Sequence, residues 1–393
     1  MKPKVLVVCH FFPYYRLPIM KTLTNDPAIN YTFFSGMNTD IDIKTLDIET
    51  AKNYDIQWMI TKNYWFLKTF LWQHGLIKES FFGRYDAIIF LGNPYFLSTW
   101  LAVLLAKLAG KKVFYWAHAT IRQKRRDKLK VLFFRMADHL LVYGNHAKND
   151  LVHRFGFEDK NITVVYNSLD YPNQVKIRSG INQAVLAETR KKVFANPEMP
   201  IIIFIGRFVA YKHLEDLIEA SKILHQRGQP HNLLLIGDGE EKSKLVDLVK
   251  DGGLESYVNF FGACFDESDL APLIAMADIC VSPGNVGLTA IHSLTYGTPV
   301  ITHDNPYQQG PEFEAIQPHR TGLFFQHGSL ESMVEAISQW LSEHQNSREE
   351  VRKECYEIID KFYNPQNQAA CMRNSIVECI NRKNKPFGTG LSN

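Results

Sequence analysis

The chain has 393 residues, 46% of them apolar and 22% charged. That is ordinary globular usage, which excludes a disordered or fibrous chain, and at roughly 100–200 residues per domain the length suggests two or three domains. The formal charge is only +3, from 44 Lys+Arg against 41 Asp+Glu, which gives no reason to propose a nucleic-acid partner.

The chain opens on Lys2-Pro3-Lys4 and runs straight into a short apolar stretch, which is not a signal-peptide pattern. Short β-branched or apolar runs then stand at 5–9, 31–34, 87–91, 113–116, 139–142 and 162–165. Longer segments of helical period, such as 18–23 and 96–108, lie between them. Residues 87–106 carry no charge and have the length of a membrane span. Gly92-Asn93-Pro94 breaks that stretch with turn chemistry, so a buried strand, a turn and a buried helix are expected instead.

Residues 171–174 and 179–182 contain turn formers and no apolar period, which places a boundary near 170–182. A second alternation follows, with runs at 201–205, 233–236, 258–261, 279–281, 300–302 and 322–325. Helical segments are expected at 183–195, 214–226 and 242–250. A last helix is expected at 366–381, and the final dozen residues read as a frayed tail. Strands alternating with helices predict parallel sheets covered on both faces. The fold class is therefore α/β, with two doubly wound, Rossmann-like domains facing across a cleft. Their expected bounds are 1–175 and 183–363, with 364–382 crossing back to the first domain.

The charge divides at the same place. Residues 1–170 hold 23 Lys+Arg and 14 Asp+Glu, a balance of +9, and residues 171–393 hold 21 and 27, a balance of −6. Opposite signs predict different partners. Residues 62–72 mix aromatics with lysines, and 122–130 is a dense basic run. Each alone reads as a core segment or a solvated helix face. Beside the basic first half they make an anionic membrane surface a candidate partner, with the protein cytoplasmic or peripheral on the inner face of the membrane. The six cysteines form no C-x-x-C pair and no Cys/His metal spacing, which fits reduced, buried thiols in a cytosolic protein.

Open α/β sheets bind ligands at the carboxyl ends of their strands. The loop after 201–205 reads Gly206-Arg207, with Lys212 five positions on. A forked guanidinium, an ammonium and a helix start in one place suit a diphosphate, whereas two surface cations are the plainer reading. Gly237-Asp238-Gly239 ends the next strand in a turn that another group can approach closely. After 279–281, a turn containing Gly284, Asn285 and Gly287 leads into a helix whose first N–H groups face outward. His292 lies one to two turns further in.

The ordered series Gly206-Arg207…Lys212, Gly237-Asp238-Gly239, Ala277-Asp278, Gly287-Leu288-Thr289 and Tyr296-Gly297-Thr298-Pro299 resembles retaining nucleotide-sugar glycosyltransferases of family 4. Trp116-Ala117-His118 and Asn167-Ser168-Leu169-Asp170 fit the same family in the first half. The resemblance implies the GT-B fold and a UDP- or GDP-linked sugar as co-substrate, with no cofactor and no metal; no suitable D-x-D is present. It implies that Arg207 and Lys212 neutralise the leaving diphosphate, helped by the helix start at Gly287, Leu288 and Thr289. Gly206 and Gly237 would border the donor, and His118 would reach across the cleft to its sugar.

Departures from the family pattern are equally specific. Two glutamates eight positions apart are usual around the glycine turn; Gly284 and His292 stand there. His292 would then meet the ribose, and Asn285 the sugar. His213 follows Lys212 where glycine is usual. Glu314 best matches the acidic residue that precedes a Gly-Leu step. The first loop lacks a Gly-Gly turn, and its His10, Tyr14 and Arg16 are candidates for binding a phosphate or sugar acceptor. A glycosyltransferase acting on a glycan or lipid-linked acceptor, in bacterial surface polysaccharide synthesis, is the expected function. A sugar-nucleotide epimerase and a non-catalytic relative remain open.

Overall fold

The computed structural model describes residues 1–37, 44–121, 127–344 and 347–382. Most of the basic run at 122–130 and nearly all of the expected tail lie outside the described residues. The chain divides into two compact units, one of Met1–Asp170 with Asn364–Asn393 and one of Tyr171–Tyr363.

The first unit is built on β1 (Lys4–Val8), β2 (Asn30–Ser35) and β3 (Trp58–Ile60), then a hairpin of β4 (Asn63–Phe66) and β5 (Phe70–Gln73). It continues with β6 (Ala87–Leu91), β7 (Lys112–Ala117), β8 (His139–Val142) and β9 (Ile162–Val164). Seven strands form one sheet in the order β3-β2-β1-β6-β7-β8-β9, every neighbouring pair parallel. Runs such as Val5–Val8 and Ala87–Phe90 are buried throughout, as a sheet covered on both faces requires.

Two segments differ from expectation. The helix Leu97–Leu108 buries Ser98, Thr99, Ala102, Val103 and Ala106 and leaves Leu97, Leu101, Leu104 and Leu108 exposed. It is apolar all round, so composition alone could not tell which stripe faces the sheet. The small side chains face the sheet because they allow close approach. Residues 62–72 are not a core segment but the antiparallel β4–β5 hairpin. Its Gln73 points inward, where Nε2 donates to the Cys9 carbonyl at 2.9 Å, while Tyr64, Trp65, Phe66 and Trp72 are exposed.

The helix Pro365–Arg382 completes this unit. Ala369, Met372, Ile376 and Cys379 join the core formed by Val5, Val7, Leu17 and Leu23. Arg373 reaches the buried Asp26 at 3.1 Å.

The second unit carries β10 (Ile201–Ile205), β11 (Asn232–Ile236), β12 (Val258–Gly262), β13 (Ile279–Ser282), β14 (Val300–His303) and β15 (Gly322–Phe325). Their order, β12-β11-β10-β13-β14-β15, is that of a dinucleotide-binding sheet. The order reverses between β10 and β13, so the loops after those strands flank the switch point. Helix Tyr171–Arg178 occupies the stretch read as loop. It lacks an apolar stripe because polar bonds hold it: Gln174 to Glu267 at 3.0 Å and Arg178 to Asp360 at 3.0 Å.

Candidate functional site

In the second unit, two glycines clasp the ends of β10 and β11. A Cβ on Gly237 would lie 1.9 Å from the Gly206 carbonyl oxygen, and one on Gly239 2.3 Å from that of Phe208. Only glycine permits this approach. The clasp holds Arg207 at the strand end, exposed, its guanidinium with no hydrogen bond or ion pair among the described residues.

Lys212 follows in a short 3-10 turn, half-buried, and donates to the Asn285 carbonyl. Burial pushes its pKa down to about 8, the Cys280 thiol opposes this, and the Arg207 cation adds to the lowering. His213 stands in the left-handed region at φ 53°, which explains why glycine is usual there. The 282–289 loop folds directly onto this turn. Gly284 N–H donates to the Lys212 carbonyl at 3.1 Å, and a Cβ at 284 would lie 2.2 Å from the Tyr211 carbonyl oxygen. Position 284, where the family resemblance implies a glutamate, therefore has no room for a side chain in this chain.

Other bonds fix the same loop. Asn285 Nδ2 donates to the Gln308 carbonyl at 3.1 Å, and Val286 N–H to Gln309 Oε1 at 2.8 Å. Gly287 adopts φ 52°, and Thr289 Oγ1, at the start of helix Thr289–Thr295, donates to the Ile205 carbonyl at 3.1 Å. Leu288 caps that helix. The structure thus gathers Gly206, Arg207, Lys212, Asn285, Gly287, Leu288 and Thr289 at the switch point.

His292 is held from the opposite direction. Its Nε2 lies 2.9 Å from Glu267 Oε1, which also accepts from Tyr296 at 2.6 Å and Gln174 at 3.0 Å. Burial raises the Glu267 pKa, but the His292 bond and charge, with Tyr296 and Gln174, outweigh it and bring it down to about 2. Glu267 was not legible in the sequence, because its partners lie 25, 29 and 93 positions away. Glu314 is half-buried in the 3-10 segment Pro311–Ala315. The deeply buried acid there is Glu312, whose carboxylate lies 2.7 Å from a Cβ built on Gly310, itself 3.1 Å from Gly287 Cα. Gly310-Pro311-Glu312 was the available signal.

In the first unit, Arg16, Trp116, His118 and Tyr143 come together at strand ends. The Arg16 guanidinium lies 4.2 Å over the Trp116 ring, and its Nη2 donates to Tyr143 Oη at 2.5 Å. Burial works against its charge, but Tyr143 and Tyr15 beside it raise its pKa above the usual value. Arg16 Nη1 is buried with no partner, and Arg16 has no carboxylate partner among the described residues. Tyr143, the first residue after β8, was missed; only its place at a strand end could have signalled it.

The His118 ring lies 4.8 Å from that of Tyr143, next to Ala119 at φ 53°. His118 reaches the surface, yet the protein around it and then the Arg16 and Lys130 cations push its pKa down to about 4. It borders a cavity of about 430 Å³ with Tyr95, Leu129 and Lys130. His10 sits among Phe11, Trp65 and Phe96, and burial followed by the Arg16 cation brings its pKa to about 4. Tyr14 is exposed under the Lys44 ammonium, 4.2 Å away. Cavities at the far strand ends of the second unit, lined by Arg190, Asp278 and Arg348, hold guanidinium groups already bonded to carbonyls.

The chain is similar to known proteins. The family described as "Glycosyl transferases group 1" matches residues 187–358, and "Glycosyltransferase Family 4" matches 49–171. The lipopolysaccharide core biosynthesis glycosyltransferase LpsE of Rhizobium meliloti (strain 1021) is 29% identical over 178 residues, 44% of this chain and 49% of its own. The N-acetyl-alpha-D-glucosaminyl L-malate synthase of Bacillus anthracis is 27% identical over 220 residues, 54% of each. The chain thus spans about half the length of the curated relatives it matches. The solved structure of Anabaena Alr3699/HepE in complex with UDP superposes with a TM-score of 0.71, covering 96% of this chain and all of that one. Its 14% identity speaks for the fold alone. With both family matches on one two-unit frame, the chain belongs to glycosyltransferase family 4, in the GT-B architecture.

Proposed function

We propose that the protein moves a sugar from a nucleotide-sugar donor, UDP- or GDP-linked, to a glycan or lipid-linked acceptor in surface polysaccharide synthesis, with retention at the anomeric carbon. The observation that carries this reading is the unpaired Arg207 beside Lys212 at the β10 switch point. Two cations with no carboxylate between them suit the diphosphate that leaves as the glycosidic bond breaks, without a metal. The solved relative bound to UDP and the relatives named for glycosyl transfer support the same donor class.

Each remaining candidate takes a part in this reading. Asn285, Gly287, Leu288 and Thr289 border the diphosphate and sugar, and Gly206 and Gly237 leave room for the donor beside them. His292 meets the ribose, with Glu312 or Glu314 bordering the donor loop. His118, neutral near pH 7, contacts the transferred sugar. His10, Tyr14 and Arg16 take the phosphate or sugar of the acceptor.

A thermal-shift series with UDP, GDP and their sugars tests the donor. One nucleotide at 100 times its Kd should stabilise the fold by about 2.7 kcal/mol. Arg207→Ala should abolish that shift and lower transfer at least a hundredfold, whereas full transfer by Arg207→Ala would refute the assignment. A second reading, a non-catalytic relative, is favoured by one observation: position 284 cannot carry the usual carboxylate. It predicts neither transfer nor slow hydrolysis of a bound donor.

A further inference from the structure

Fifteen of the twenty-three large apolar side chains exposed among the described residues fall between Ile60 and Leu132. Eleven of these fifteen sit on three neighbouring elements. The β4–β5 hairpin presents Trp65, Phe66 and Trp72, and its Gln73 N–H donates to Ser98 Oγ of the helix Leu97–Leu108 at 3.1 Å. That helix presents Leu97, Leu101, Leu104 and Leu108, at spacings of four, three and four, on one outer stripe. Trp100 on the same helix packs on Phe133 at 5.0 Å, joining the helix Lys128–Arg135, which exposes Leu129 and Leu132.

An outer face of this size is not left to water in a soluble monomer. Charge identifies its occupant. The described residues between 58 and 135 hold ten Lys+Arg and three Asp+Glu. Lys62 and Lys68 bracket the hairpin aromatics and, with Lys78 and Lys128, are exposed. Tryptophan and tyrosine beside lysine is the composition of a lipid headgroup boundary. A twofold pairing of this face would set the basic residues against their own copies, which is repulsive. The leucine helix is about 18 Å long, too short to cross a 30 Å hydrocarbon core, so it would lie in the interface plane.

We propose that the outer face of Leu97–Leu108, with the β4–β5 hairpin, docks on an anionic lipid bilayer. Tyr95 and Leu129 belong to this exposed set and also line the His118 cavity. A lipid-linked acceptor would therefore reach that cavity from the membrane plane, and in this respect alone the proposal rests on the proposed transfer.

Flotation of the full chain with vesicles tests it. The chain should float with phosphatidylglycerol–phosphatidylcholine vesicles and stay below with phosphatidylcholine alone. Leu101→Glu/Leu104→Glu should lower the bound fraction about tenfold or more, because it removes apolar burial and adds like charge to the surface. Phe66→Ser/Leu67→Ser on the separate hairpin should also lower it, which keeps the test valid if the helix variant fails to fold. Thermal midpoints and the UDP shift should not change, so a failed donor assignment shows only in the shift and a failed docking only in flotation. Equal binding to neutral vesicles overturns the proposal, as does unchanged flotation of both variants. A wild-type dimer in light scattering that Leu101→Glu/Leu104→Glu makes monomeric, without flotation of either, would assign the face to a second copy and overturn it too.

Discussion

Gly284 and Lys212 show how single positions set the chemistry of the second unit. The 282–289 loop rests on the backbone of 211–212, so restoring the usual glutamate is a steric change before it is a chemical one. Gly284→Ala should cost about 1–3 kcal/mol, seen as a fall in thermal midpoint, and Gly284→Glu at least as much. A Gly284→Glu variant with an unchanged midpoint would disprove the close approach. Lys212, with its pKa brought down to about 8, loses its charge in mildly alkaline solution. Donor affinity should thus hold from pH 6 to 7 and decline as pH passes about 8, whereas Lys212→Arg should flatten the decline. Arg16 makes the opposite point. Its guanidinium has a buried Nη1 and no carboxylate partner among the described residues, so Arg16→Met should leave the midpoint unchanged or raise it while transfer to the acceptor falls more than tenfold.

At the scale of elements, Glu267 joins three helices, Tyr171–Arg178, Glu267–Ala275 and Thr289–Thr295, with Tyr296 at the end of the last. Its folded pKa of about 2 lies below the usual 4.5. A depressed carboxylate contributes stability that is present above the unfolded pKa and is lost as pH falls through the folded one. Glu267→Gln should therefore remove up to about 3 kcal/mol of stability near neutrality, and the difference from wild type should shrink between pH 4.5 and 2 in denaturant titrations.

This network also marks the limit of what the sequence discloses. Buried parallel strands announce themselves as apolar runs, and β1, β6, β10 and β13 stand within a residue of their expected places. Loops at strand ends follow from them, so the placement of Arg207, Lys212 and His118 just past strands was legible. Helix Tyr171–Arg178 was not, because its partners are polar and distant in the chain. The outward face of Leu97–Leu108 was not either, since an apolar helix has no pattern that distinguishes inside from outside. The crowding at Gly284 is a contact between two backbones and leaves no mark in side-chain identity.

At the scale of the whole molecule, the return of the chain changes the charge division. Residues 171–363 hold 17 Lys+Arg and 26 Asp+Glu, a balance of −9, so the acidic excess of the second unit is larger than the simple halves indicate. The returning helix Pro365–Arg382 adds apolar weight to the basic unit. Burying Met372 and Ile376 is worth roughly 1.5–3 kcal/mol each, a large part of the stability of one domain. A chain ending at residue 363 should lose the cooperative unfolding of the first unit and most of its soluble yield. Calorimetry showing two intact transitions in that truncation would contradict this.

The same helix also orders events in time. Of the two units the first begins to emerge from the ribosome earlier, but its core lacks Ala369, Met372, Ile376 and Cys379 until the second unit has been made. At about 5–20 residues per second, the wait after residue 170 is roughly 10–45 s. Through that interval the second unit, a continuous stretch, can close, while the first holds an open apolar groove beside Leu17 and Leu23. Of the two units, the one begun earlier is thus completed later, and it is during synthesis that a chaperone would have most to protect.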